Sequence, residues 1–97
     1  MNQIHPEPLS GTLVDILEET AARYPEHGIF HVASGDTSEE FQSYPELLRN
    51  AKEMAQVLYR RGLRPRTPLI LSVDASRTFL EIFWGCLFSG VLPAPLA

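Results

Sequence analysis

Few side chains in this sequence have the chemistry of a reaction centre, and their spacing limits what each can do. Cys86 is the single cysteine, so no internal disulfide is possible. Its neighbours, Phe83-Trp84-Gly85 before it and Leu87-Phe88 after it, describe a buried, inert thiol rather than one paired with a distant histidine. His5, His27 and His31 stand at no metal-ligand spacing with one another or with Cys86. Acids pair at Glu18-Glu19 and Glu39-Glu40. Adjacent residues on a helix do not face each other, and on a strand they point to opposite faces, so neither pair is set for acid–base work. Asp74 follows an apolar run, a place where α/β folds put functional groups. It is also a natural helix N-cap, and the cap is the preferred reading.

Phosphate chemistry has no visible seat. The chain has no Gly-rich loop ending in Lys-Ser or Lys-Thr and no G-x-G-x-x-G. Gly85-Cys86-Leu87-Phe88-Ser89-Gly90 lacks the G-x-S-x-G spacing of a nucleophile elbow and falls at a helix end. Arg60, Arg61, Arg64 and Arg66 cluster where a helix is expected to end. There they suit the helix dipole, and without interleaved aromatic residues they do not make a nucleic-acid surface. No catalytic, cofactor-binding or metal-ligating residue is therefore assigned.

Ninety-seven residues with a net charge of −4 make at most one mildly acidic domain. The opening MNQIHPEPLSG lacks the basic and apolar regions of a secretory signal, which makes the cytoplasm the default location. Phe79 to Leu96 has the length of a short membrane span. Glu81 inside it, with Gly85, Gly90, Pro93 and Pro95, argues against a span.

The elements follow from periodicity. Residues 1–11 read as an irregular lead-in and 12–97 as the structured part. Thr12 with Asp15 resembles a capping box for a helix carrying Leu13, Ile16, Leu17, Ala21 and Tyr24 on one side, stopped by Pro25. Gly28 to Ala33 reads as a strand, Ser34 to Thr37 as a turn, and Glu39 to Ser43 as the return strand of a hairpin. Ser43-Tyr44-Pro45-Glu46 caps a second helix. Leu47, Leu48, Ala51, Met54, Ala55 and Leu58 are its apolar stripe and Gly62 its left-handed stop. Pro68 to Val73 is apolar enough for a strand covered on both faces. Asp74 or Ser76 would cap a third helix reaching about Ser89, and Val91 to Ala94 would return as a strand. The whole is an α/β chain, α1-β1-β2-α2-β3-α3-β4, ending in a βαβ unit.

The third helix is apolar nearly all round. Phe79, Ile82, Phe83, Cys86 and Leu87 line one face, and Leu80, Trp84 and Phe88 an adjoining one. Arg77, Glu81, Gly85 and Ser89 form a narrow polar or small strip. Such a helix is enclosed on more than one side, so further polypeptide, or a second copy of the chain, is expected to cover Trp84 and Phe88.

Two stretches carry a family resemblance. Ser43-Tyr44-Pro45-Glu46-Leu47-Leu48, with the helix ending Arg61-Gly62-Leu63, resembles the first core motif of adenylate-forming (AMP-binding) enzymes. Leu87-Phe88-Ser89-Gly90-Val91-Leu92-Pro93-Ala94-Pro95-Leu96 resembles the second. Phe83-Trp84-Gly85-Cys86-Leu87 before it is similar to fatty-acyl-AMP ligases and to the acyl ligases that open polyketide and mixed peptide–polyketide assembly lines. Amino-acid-activating domains carry a Tyr and a closing Asp that are missing here. The resemblance implies an incomplete portion of a large N-terminal domain. The parent would use ATP and Mg²⁺ to convert a carboxylate to an acyl adenylate and pass it to a thiol of coenzyme A or an acyl carrier protein. Both motifs are structural in that family, so the resemblance assigns no catalytic residue here, and the piece is expected to be inactive alone. Two alternatives stand beside it: a fragment of an amino-acid adenylation domain, and a free-standing α/β interaction module that buries its third helix in a homodimer.

Overall fold

The computed structural model describes residues 9–32, 39–73 and 75–96. His5, Asp74 and the turn expected at Ser34 to Thr37 lie outside them. The element order is the expected one: α1 (Leu9–Arg23), β1 (Gly28–Val32), β2 (Glu39–Ser43), α2 (Tyr44–Arg60), β3 (Pro68–Leu71), α3 (Ser76–Ser89) and β4 (Leu92–Pro95).

The start of α1 corrects the sequence reading. Thr12 is not its N-cap, and residues 9–11 are not irregular, because the helix is already formed at Leu9. Gly11 does not stop it, since an interior glycine costs only about 1 kcal/mol. Leu17 and Ala21 are buried, while Ile16 on the same stripe is 53% exposed.

Helix α2 follows its sequence signals closely. Ser43 is the N-cap, and its hydroxyl accepts from the Glu46 N–H at 3.2 Å. Leu47, Ala51 and Leu58 are buried. At the other end Leu63 N–H donates to Leu58 C=O and Gly62 N–H to Tyr59 C=O, both at 3.0 Å, which is the Schellman pattern. Gly62 takes φ +95° to make it, a conformation that a side chain would strain.

Two separate two-stranded sheets flank the helices. β1 and β2 pair antiparallel with Phe30 opposite Phe41, and β3 and β4 pair parallel with Pro68 opposite Leu92. Leu92 and Leu96 donate their N–H groups to Thr67 and Leu71 carbonyls of the β3 side. By alternation Pro93 and Pro95 turn their missing N–H positions to the outer edge, so β4 offers that edge no donors.

The core gathers where α2, α3 and the parallel pair meet. Leu58, Cys86 and Val91 are buried together, with Met54, Leu63, Leu69 and Ile82 packed on them. The expectation that β3 is covered on both faces fails within this chain. Leu71 is buried, but Ile70 on the other face is 67% exposed. Among the described residues only one layer of helices covers the pair.

Candidate functional site

The polar strip of α3 turns inward together with Cys86 and Ile82. Gly85 lies so close to α2 that an added Cβ would stand 2.7 and 2.8 Å from the Met54 Cγ and Cβ and 3.3 Å from the Ala51 carbonyl oxygen. Ser89 folds its hydroxyl back onto the Gly85 and Cys86 carbonyls at 2.9 and 3.2 Å. Small size and a self-satisfied hydroxyl admit this strip to the interior. The wide apolar face, by contrast, is only half-buried at Phe79, Phe83, Trp84 and Phe88. Phe83 meets Trp84 edge-on at 6.3 Å between ring centroids.

Where the strip passes the hairpin it builds a polar cluster. Glu81 Oε2 accepts from Gln42 Nε2 at 2.8 Å, Asn50 Nδ2 at 2.8 Å and Arg77 Nε at 3.2 Å. Arg77 also donates to Glu40 at 2.6 Å and to Glu46. These bonds hold the Arg77 guanidinium above its ordinary range. The hydrogen bond to Glu46 is the largest cause, opposed by burial and reinforced by the charges of Glu46 and Glu40 and the bond to Glu81. One arginine thus ties β2, α2 and α3 together.

The hairpin supplies the other half. β1 and β2 turn His31 and Gln42 inward, 6% and 0% exposed, and leave Phe30 62% exposed. His31 Nε2 lies 2.9 Å from Gln42 Oε1, and His31 Nδ1 lies 2.7 Å from the hydroxyl of Ser76. Among the described residues no buried side-chain nitrogen or oxygen lacks a partner. The structure therefore brings together His31, Glu40, Gln42, Glu46, Asn50, Ser76, Arg77 and Glu81, a constellation the sequence reading missed. Its one advance signal was Gly85 four residues after Glu81, a small residue in mid-helix that marks a close packing face.

The residues weighed from sequence are placed as follows. Ser76 is not the cap of α3; Ala75 occupies that position with no side-chain bond, and Ser76 faces His31 instead. His27 stacks on Tyr24 at 5.5 Å, away from the cluster. Glu18 pairs with Lys52 at 3.3 Å and Glu19 with Arg23 at 3.0 Å. Glu39 and Glu40 point apart along β2, and only Glu40 joins the cluster. Burial pushes the Cys86 thiol up to about 11, which leaves it protonated at neutral pH. Arg64 lies 3.8 Å over the Tyr59 ring and donates to the Tyr59 and Leu63 carbonyls, so it closes the end of α2. Beside it an open groove of about 570 Å³ runs between α2 and α3, with Ala55, Tyr59, Pro65 and Phe88 in its lining.

The converging carboxylates do not fit a magnesium ion. The carboxylates that converge already share Arg77 and two amides, and no three His, Cys, Asp or Glu side chains among the described residues are grouped to hold a metal. No helix among them is long and apolar enough to cross a membrane.

No family model matches the sequence. Solved structures do. A fatty acid AMP ligase from Legionella pneumophila superposes with a TM-score of 0.78 and 23% identity, over 95% of this chain and 16% of that one. A fatty acyl-adenylate ligase from L. pneumophila, solved with acyl adenylate and pyrophosphate, gives 0.78 and 26%, over 87% of this chain and 15% of that one. The fold is that of the N-terminal part of an adenylate-forming enzyme. McyG A-PCP complexed with phenylalanyl-adenylate carries the same adenylate-forming fold, at TM-score 0.77 and 29% identity over 86% of this chain and 13% of that one. The chain therefore spans 13–16% of the length of these solved proteins.

Proposed function

We propose that this chain is the N-terminal portion of an ATP-dependent acyl-AMP ligase. The parent converts a carboxylate, a fatty acid in the first instance, to its acyl adenylate and transfers the acyl group to a carrier-protein or coenzyme A thiol. The observation that carries the reading is the match to the L. pneumophila fatty acyl-adenylate ligase over 87% of this chain. The open apolar face of β3 and β4 supports it, because Ile70 and Leu92, 67% and 51% exposed, offer a surface for the remainder of the adenylation domain. ATP and Mg²⁺ belong to that remainder, and the 97 residues form no adenylate by themselves. A cytoplasmic location for the parent is in keeping with its use of ATP.

A second reading, an amino-acid adenylation domain, is favoured by the 29% identity to McyG A-PCP. ATP–pyrophosphate exchange separates the two. A protein carrying this chain at its N-terminus is expected to exchange with fatty acids and not with phenylalanine, and the isolated chain with neither. Exchange by the 97 residues alone would overturn the inactive-fragment reading, and exchange only with an amino acid would replace the first reading with the second.

A further inference from the structure

We propose that Ser76 is a base-activated nucleophile, with His31 as its general base, that takes acyl or phosphonyl groups from activated esters. This inference is independent of the adenylation reading and uses no nucleotide.

The argument begins at Glu81. Its Oε2 collects donors from Gln42, Asn50 and Arg77, so it is an acceptor and Gln42 must present its NH₂ group there. The Gln42 amide is then fixed with Oε1 towards His31 Nε2, 2.9 Å away. An acceptor at that distance requires a donor, which puts the imidazole proton on Nε2. Nδ1 keeps its lone pair, and the Ser76 hydroxyl donates to it at 2.7 Å. Nucleophile, base and orienting group stand in line, each at hydrogen-bond distance.

Access and rigidity are divided in the way such a reaction needs. Gln42 and His31 are buried at 0% and 6% exposure, so the ring cannot turn away. Ser76 is exposed. It is the first residue of α3, and its N-cap, Ala75, makes no side-chain bond. The N–H groups of a helix's first turn lack intrahelical partners, and Ser76 stands in that turn.

The step balances without a further reagent. Ser76 Oγ attacks the ester carbonyl carbon as its proton passes to His31 Nδ1. The bond from that carbon to the leaving oxygen breaks, and the leaving oxygen takes the proton from Nδ1. An acyl–Ser76 ester remains. Water hydrolyses it, giving one proton to Nδ1 that returns to Oγ, so ester and water become acid and alcohol. The Gln42 amide oxygen, backed by Glu81, stabilises the positive charge the ring holds between the two proton transfers.

The test is to treat the 97-residue chain with a fluorophosphonate probe and follow each adduct by peptide mass spectrometry. Ser72, exposed and four residues away, is the internal reference. A general base contributes about 10²–10⁴-fold, so Ser76 is expected to label about 10²-fold faster than Ser72 or more. Ser76→Ala removes the adduct. His31→Gln, which keeps a donor and an acceptor in the buried position but no base, brings Ser76 down to the Ser72 rate. Equal labelling of Ser76 and Ser72 in the unaltered chain overturns the proposal whatever the variants do, and so does undiminished labelling in H31Q.

Discussion

Arg66 carries a cost that a single substitution would remove. In the turn from Arg64 to Thr67 the Thr67 N–H donates to the Arg64 carbonyl at 3.0 Å, Pro65 sits second and Arg66 third with φ +73°. That is the place where a type II turn favours glycine. Arg66 stays because its own N–H is held by the Gly90 carbonyl at 2.8 Å. Arg66→Gly keeps that bond and relieves the side chain, partly offset by the greater freedom of glycine in the unfolded chain. We expect it to stabilise the chain by about 0.5–1 kcal/mol, read as a higher urea midpoint with unchanged slope. A lower midpoint would mean that the Arg66 side chain makes a compensating contact.

Among the elements, the joint between the hairpin and the two long helices rests on Arg77. Two arginines in this chain pair with a glutamate four residues away, and their surroundings differ. Arg23 and Glu19 are 63% and 67% exposed, whereas Arg77 and Glu81 are 25% and 18% exposed, with Glu40 and Glu46 also on Arg77. Exposed pairs contribute little. Removing Arg77 leaves three carboxylates converging without their cation, and hydrogen bonds to charged groups are worth more than neutral ones. Arg77→Met should therefore cost about 2–3 kcal/mol, and Arg23→Met no more than about 0.5 kcal/mol, both read by urea denaturation. Equal losses would show that the cluster does not hold the elements together.

Taken whole, the molecule has a half-finished interior. Neighbouring residues of β3 make the point: Leu71 is 4% exposed and Ile70 67%. Leu71→Ala is expected to cost about 2–4 kcal/mol in the isolated chain, and Ile70→Thr within about 0.5 kcal/mol of nothing. On the proposed reading, the same Ile70→Thr change in a protein that carries this chain at its N-terminus should destabilise it measurably, because the remainder of the domain would cover the face. If Ile70→Thr is as damaging as Leu71→Ala in the isolated chain, the open face is closed in solution by another copy, through β3 and not through the third helix of the homodimer alternative.

Local signals were sufficient for the order of the elements, because each rests on short-range physics. Ser43 with Glu46 started α2, Gly62 ended it, and the apolar run after Pro68 marked a parallel strand. The resemblance carried by Ser43 to Leu48 and by Leu87 to Leu96 pointed to the adenylate-forming fold that the solved structures show. The same local reasoning misplaced the start of α1, because propensity near an end is weak. It also did not foresee how far the polar strip of α3 enters the interior. Periodicity ranks faces by hydrophobicity, yet the depth to which two helices approach depends on size, and Gly85 against Met54 drew the polar strip inside. The sequence by itself determined the elements, their order and the inert burial of Cys86. Only the tertiary structure decided that His31, Gln42, Ser76, Arg77 and Glu81 meet, because they come from three elements whose hydrogen bonds are satisfied only once the chain has folded them together.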